Sequence, residues 1–84
     1  MVIGFVFINA EIGTEKTTQE ELLNIDGVVE AYLTYGVYKI TCKLQKPSIK
    51  TLHDVIENKI LALANVRSTI SMIVVEDQKL LVKA

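Results

Sequence analysis

The opening segment of the chain is nonpolar on both sides of a two-residue period. Residues 2–8 read VIGFVFI, and only Gly4 interrupts the run of large apolar side chains. Successive residues of a β-strand point to opposite faces of the sheet, so both faces of this strand need a cover. The pattern therefore predicts a central strand that is buried on both sides.

The next segment has the features of a short helix over residues 15–24. Thr14 is a suitable N-cap, and Glu15 fits the positive N-terminal end of the helix dipole. Asp26-Gly27 ends the helix, because glycine readily adopts the left-handed conformation common after a helix C-terminus. The weakly apolar face of this predicted helix consists of Thr18, Leu22 and Ile25.

Two β-rich segments, residues 28–35 and 38–44, flank Gly36-Val37. Glycine at the first central position of a two-residue turn favours a type II′ hairpin. In the second segment, apolar positions beginning at Tyr38 alternate with polar positions beginning at Lys39. This alternation is typical of a half-exposed strand.

A stronger helical pattern follows Pro47. Ser48 is a good N-cap, and apolar residues recur at three- and four-residue steps. Asn65 is expected to end this helix as Gly27 ends the first one, and residues 66–76 form a β-branched final strand. The predicted buried face of the second helix consists of Ile49, Leu52, Val55, Ile56, Ile60 and Leu63.

The order of these elements predicts an α+β fold of the ferredoxin-like βαββαβ type. A four-stranded antiparallel sheet then carries both helices on one face, and the first and third strands are central. Residues 1–84 are expected to form a single domain, because the chain is too short for two. Residues 77–84 form a tail that either is flexible or pairs with a neighbouring sheet edge.

Helices cover only one face of such a sheet, although its first strand is apolar on both. A second copy of the chain is the simplest cover, which predicts a two-fold homodimer of the dimeric α+β barrel type with its sheets packed together. Half of the 84 residues are hydrophobic, and the mean hydropathy is +0.35. A small core cannot hide that much apolar surface, so we expect self-association.

Charge and composition exclude several classes of function. Nine basic and ten acidic residues, a pI near 5.7 and the lack of a basic run do not fit direct binding to nucleic acid. A single cysteine leaves no internal disulfide and no multi-cysteine metal site, and no segment is long enough to span a membrane. The sequence thus predicts a cytoplasmic protein without a signal peptide.

No residue pattern indicates a catalytic site, a metal site or a cofactor. His53, the only histidine, falls on the polar side of the second helix. Cys42 lies in the apolar phase of its strand, which predicts a buried and unreactive thiol. Glu20-Glu21 fits a solvated helix face, and the tyrosines near the hairpin fit packing better than base stacking.

Several motifs, in this order and spacing, resemble the effector-binding domain of the Lrp/AsnC regulators, also called the RAM domain. They are Gly27-Val28 after the first helix, Tyr-Gly-x-Tyr at residues 35–38, and Val-Arg-Ser-Thr-x-Ser at residues 66–71 followed by Ile-Val-Val. The resemblance extends over residues 1–76. Because the first strand starts at Met1, it implies a stand-alone form without a helix-turn-helix domain.

The resemblance further implies sheet-paired dimers that assemble into rings, with a small effector, usually an amino acid, bound between dimers. Backbone N–H groups near Gly36 would bind the effector's carboxylate, and Tyr38 would pack against the effector's side chain. Hydroxyl groups of the last strand would form hydrogen bonds with further polar atoms of the effector. By position, the ligand-binding residues are Tyr35, Gly36, Val37, Tyr38, Lys39, Thr69 and Ser71.

Lys39 departs from the family pattern. The family hairpin commonly reads Gly-x-Tyr-Asp, and its Asp is placed to pair with a ligand ammonium group, which a lysine would repel. The pocket is then unused, or takes an anion such as a keto acid or dicarboxylate, or Lys39 pairs with a carboxylate of another subunit. Simple solvation of Lys39 on a half-exposed strand is a fourth interpretation.

These features predict a non-enzymatic regulatory module that binds an amino acid or related metabolite. It would act on the transcription of amino-acid metabolism through a partner such as a full-length Lrp-like regulator. One alternative is a small enzyme, because dimeric α+β barrels also host oxygenases and isomerases. Another is an ACT-type sensing domain, although residues 9–13 match its Gly-rich loop poorly.

Overall fold

The computed structural model describes residues 1–75. The predicted tail, residues 77–84, and the last residue of the predicted final strand lie outside the described part. In chain order the elements are β1 (Val2–Ala10), α1 (Glu15–Leu23), β2 (Val28–Leu33), β3 (Ile40–Lys46), α2 (Ile49–Val55), a π-helical turn (Ile56–Ile60) and β4 (Val66–Ile73).

The four strands form one antiparallel sheet in the order β2-β3-β1-β4. β1 and β3 are therefore central, as predicted, and the chain has the ferredoxin-like α+β fold. One face of the sheet packs against the helices and forms the core. The core residues are Val6, Ile8, Ala10, Ala31, Ile40, Cys42 and Leu44 from the strands, and Leu22, Leu52, Val55, Ile56 and Ile60 from the helical segments.

The first helix begins where the sequence predicts, but Thr14 does not cap it through its side chain. The Thr14 hydroxyl instead donates to the carbonyl oxygen of Glu11 at 2.7 Å. Thr18 and Leu22 are completely buried, which confirms the predicted apolar face. Gly27, with a φ angle of 102°, makes the left-handed turn that leads into β2.

A capping box starts the second helix, which confirms the role predicted for Ser48. The Ser48 hydroxyl accepts from the Thr51 amide at 3.1 Å, and the Thr51 hydroxyl accepts from the Ser48 amide at 3.1 Å. The prediction is wrong for Ile49, whose side chain is 54 % exposed. It is also wrong for Asn65 as a left-handed stop, because no non-glycine residue among those described has a positive φ angle.

The connection between β2 and β3 is longer than the predicted two-residue turn. Strand pairing ends with Leu33 opposite Ile40, which leaves residues 34–39 as the β2–β3 loop. The Thr34 amide donates to the carbonyl oxygen of Lys39 at 2.8 Å and closes this loop. The prediction of a type II′ turn at Gly36-Val37 is therefore wrong, because the strands stop pairing before they reach it.

The sheet face opposite the helices, here called the open face, is uncovered in the single chain. Ile70 and Met72 of β4 are 48 % and 50 % exposed there, and they lie opposite Phe7 and Phe5 of β1. The face is apolar along β1 and β4 and polar along β3. Its residues include Ile3, Phe5, Phe7 and Asn9 on β1, Ile70 and Met72 on β4, and Thr41, Lys43 and Gln45 on β3.

Cys42 is buried on the helix-covered face, as predicted. Burial raises the pKa of its thiol from 9.0 to about 12. We expect the native protein to resist a thiol reagent near neutral pH and to react fully once it is unfolded in denaturant. Native protein that reacted as fast as unfolded protein would contradict the buried position.

The same pKa shift predicts a pH dependence of stability. The folded state keeps the thiol proton to a higher pH than the unfolded state does, so the stabilisation is fully present below pH 9 and is lost as the pH rises toward 12. The Cys42→Ala variant lacks this contribution. The unfolding free energy of the wild type, measured relative to that variant, should therefore fall over this pH range.

Candidate functional site

The β2–β3 loop contains most of the predicted ligand contacts, and hydrogen bonds within the protein occupy the carbonyl groups of its second half, residues 37–39. The carbonyl oxygen of Tyr38 accepts from the Thr34 hydroxyl at 2.9 Å, and that of Lys39 accepts from the Thr34 amide at 2.8 Å. The carbonyl oxygen of Val37 accepts from the side-chain amide of Asn9 at 2.8 Å. Three consecutive carbonyl groups are thus turned toward the protein.

Strand β1 anchors this loop through two side chains of the open face. The Oδ1 atom of Asn9 accepts from the Lys39 amide at 3.2 Å, while its Nδ2 atom holds Val37. Two residues earlier, the Phe7 ring centroid lies 6.4 Å from that of Tyr38, with the rings tilted by 48°. The loop is therefore held against the open-face side of β1.

The amide groups of the loop are less occupied than its carbonyl groups. Within residues 1–75, the amides of residues 35–38 donate no hydrogen bond to the protein. Lys39 adds a positive charge, and no carboxylate of the described residues forms a salt bridge with it. Free N–H donors followed in the chain by a lysine suit an anion such as a carboxylate.

The tip of the loop is open to solvent in the single chain. Tyr35 and Val37 are 104 % and 81 % exposed. Gly36 between them has a φ angle of 124°, which L side chains rarely adopt. Exposed apolar side chains next to free donors leave this tip available to a ligand or another chain.

Thr69 and Ser71 lie on β4, apart from the loop. They pair with β1 residues of the helix-covered face, whereas Asn9 and the loop lie on the open-face side. The buried Ile8 separates Thr69 from Ile40, where β3 begins. One chain does not bring the predicted residues together, so a site that uses both groups would need residues from two chains.

Two cavities of the single chain lie far from the loop. They measure about 260 and 330 Å³ and share Lys46 of β3, Val55 of α2 and Lys59 of the π-helical turn. Lys46 stands at the end of β3 remote from the loop and pairs with Asp26 at 3.2 Å. None of the predicted ligand-binding residues lines either cavity.

His53 is a surface residue, as predicted, and its Nε2 atom lies 3.5 Å from Oε1 of Glu57. Within residues 1–75, no group of three or more His, Cys, Asp or Glu side chains is arranged to hold a metal ion. None of the helices in the described part of the chain is long and apolar enough to cross a membrane.

Sequence reasoning missed Asn9 and Thr34, the two residues that hold the loop in place. Neither belongs to the hairpin motif at residues 35–38. A weak signal was present for Asn9, which is the first polar residue after the apolar run of residues 2–8. Its partners follow it by 28 and 30 residues, so no local pattern reveals them.

The chain is similar over most of its length to proteins of one family. The family model of the Lrp/AsnC ligand binding domain matches residues 4–80. The crystal structure of FFRP-DM1 is 32 % identical, with a TM-score of 0.85 over 89 % of this chain and 100 % of that one. The hypothetical protein PHS023 from Pyrococcus horikoshii is 31 % identical, with a TM-score of 0.85 over 92 % and 93 % of the two chains.

A longer protein also contains a region of this fold. E. coli AsnC is 30 % identical, with a TM-score of 0.84 over 98 % of this chain, and the match spans 56 % of the AsnC chain. No curated protein is significantly similar to this chain. The family match includes both the β2–β3 loop and β4, so the chain belongs to the Lrp/AsnC ligand-binding domain family.

Proposed function

We propose that this domain is a non-enzymatic regulatory module whose effector is a small carboxylic acid held at the β2–β3 loop. Membership of the Lrp/AsnC ligand-binding family supports the regulatory, effector-binding role. The observation that carries the ligand class is the polarity of the loop. The carbonyl groups of residues 37–39 are occupied, whereas the amides of residues 35–38 and the Lys39 ammonium group are available.

The charge of Lys39 favours keto acids or dicarboxylates over ordinary amino acids. A carboxylate satisfies the loop amides and the lysine together. The ammonium group of an α-amino acid would approach Lys39 as a like charge in a partly desolvated site, which is repulsive. A keto acid or dicarboxylate avoids that repulsion.

The proposed site is completed by assembly of the chain. The apolar half of the open face supports a two-fold homodimer in which the sheets pack together with the helices outside. Contacts between dimers, closed into a ring as the resemblance implies, would bring the exposed Tyr35 and Val37 against another chain. Thr69 and Ser71 of that chain then supply hydroxyl groups to the ligand.

The proposed route to regulation is a shared assembly in the cytoplasm. A full-length Lrp-like regulator that uses the same dimer or ring contact would be the partner through which transcription of amino-acid metabolism is affected. The effector changes this assembly only as far as it binds one assembly state better than another. Light scattering of this protein mixed with the partner, at increasing effector concentration, measures that difference in affinity.

Thermal melting at fixed protomer concentration tests the ligand class. The panel comprises amino acids, keto acids and dicarboxylates, and it includes L-methionine because a feast or famine regulatory protein from M. tuberculosis was solved with L-methionine. A ligand at about 100 times its dissociation constant stabilises the folded state by roughly 2.7 kcal/mol, which is a measurable shift. We expect the larger shifts with keto acids or dicarboxylates.

Two lysine variants separate the role of Lys39 from general charge effects. Lys39→Met keeps the length of the side chain but removes its charge, and we expect it to weaken acid binding by about tenfold or more. Lys50→Met removes a charge from the exposed surface of α2, away from the loop and the open face, and should leave binding unchanged. A shift with amino acids alone would contradict the role of Lys39, and a flat panel would contradict effector binding.

A further inference from the structure

We infer that Asn9 is a positioning residue that sets which polar groups of the β2–β3 loop face the effector. The effect of Asn9 on ligand binding rests on the proposed function, whereas its effect on the loop is measurable without any ligand. Asn9 is not among the predicted ligand contacts. It stands on β1, and its side chain reaches the loop from the open-face side.

A carboxamide is the side-chain group suited to this position. Nδ2 of Asn9 donates to the Val37 carbonyl oxygen at 2.8 Å, and Oδ1 accepts from the Lys39 amide at 3.2 Å. One planar group thus bridges the residues on either side of Tyr38. An aspartate would supply acceptors only, and an alanine would supply neither donor nor acceptor.

The bond to Val37 fixes the orientation of the peptide group between Val37 and Tyr38. This peptide is trans, since the described chain has no cis peptide bond. The N–H of a trans peptide points opposite to its C=O, so a carbonyl oxygen held by Asn9 directs the Tyr38 amide away from β1. Without the carboxamide this peptide could rotate and present a carbonyl oxygen, which repels a carboxylate.

Asn9 also links the loop to the surface that the proposed dimer would bury. It lies opposite Ser68 of β4 and two residues after Phe7, both on the open face. A second copy covering that face would pack against the residues that hold the loop. An effector that favours one orientation of the loop would therefore also favour one state of the sheet contact, by reciprocal linkage.

Amide hydrogen exchange of the loop tests the positioning role. In the native protein the Lys39 amide should exchange slowly, and in Asn9→Ala it should exchange about tenfold faster, because it loses its acceptor and the loop loses its second anchor at Val37. Asn9→Asp keeps the acceptor, so it should retain more of the Lys39 protection than alanine does. Ser68→Ala, which alters the cross-strand neighbour of Asn9, is the matched control and should leave this exchange unchanged.

The exchange and binding results together separate the two proposals. Faster Lys39 exchange in Asn9→Ala, together with a weaker melting response to acids, supports the inference. Faster exchange in a protein whose native form binds no panel ligand leaves the positioning role intact and overturns the proposed function. Unprotected Lys39 in the native protein, which needs no variant, would overturn the role of Asn9.

Discussion

Ile70→Glu is expected to convert the proposed sheet-paired dimer into folded monomers. Ile70 is 48 % exposed on the edge strand β4 and lies opposite Phe7 on the open face. A glutamate at this position reaches water in the single chain, but its charge would be buried without a partner in the dimer. Such an uncompensated charge costs about 3–5 kcal/mol, so the dimer dissociation constant should rise about 100-fold or more.

Sedimentation equilibrium over a range of protomer concentrations measures this change. Ile49→Glu is the matched control, because Ile49 is a similarly exposed isoleucine at the start of α2 and away from the open face. We expect Ile49→Glu to leave the mass of the assembly unchanged. A dimer that survived Ile70→Glu would contradict pairing through the apolar part of the open face.

Leu52→Ala is expected to lower the free energy of unfolding by about 2–5 kcal/mol, because it removes a buried side chain and leaves a cavity. Leu52 is completely buried where α2 packs on β1. A domain of this size has a total stability of only about 5–15 kcal/mol, so the loss is a large part of it. Denaturant unfolding at fixed protomer concentration measures the loss, since assembly also affects stability.

The control for this experiment is Leu61→Ala. Leu61 follows the π-helical turn and is 48 % exposed, so its truncation should cost about 1 kcal/mol or less. Equal losses for the two variants would contradict the burial of Leu52 in the core.

Gly4 provides a second test of the same contact. A Cβ atom at Gly4 would lie 2.8 Å from Cδ2 of Leu52 and 3.4 Å from the carbonyl oxygen of Met72. We expect Gly4→Ala to destabilise the wild type by about 1–3 kcal/mol and to destabilise the Leu52→Ala variant less. Additive losses in the double variant would show that the two residues do not meet.

Gly4 also shows which features of β1 could be predicted from the sequence and which could not. The apolar run of residues 2–8 predicted a central strand with two faces to cover, and β1 is central with its open face uncovered in the single chain. Gly4 was visible only as an interruption of that run. Its function, a close approach of α2 to the sheet, depends on Leu52, which follows it by 48 residues.

The predicted ligand residues show a similar division. The motif at residues 35–38 located the loop, but the predicted tight turn was wrong because β2 and β3 stop pairing at Leu33 and Ile40. Thr69 and Ser71 lie on the other side of the sheet from the loop contacts of Asn9. Whether these hydroxyl groups and the loop share a ligand remains a prediction about two chains.

The sequence by itself determined the order of strands and helices, the capping of α2, the buried thiol of Cys42 and the excess of apolar surface on β1. These features follow from residue periods and short-range hydrogen bonds, both of which can be recognised in a local stretch of sequence. Only the tertiary structure decided the length of the β2–β3 loop and the direction of its polar groups. That direction depends on Asn9, whose hydrogen bonds join positions far apart in the chain and leave no local pattern.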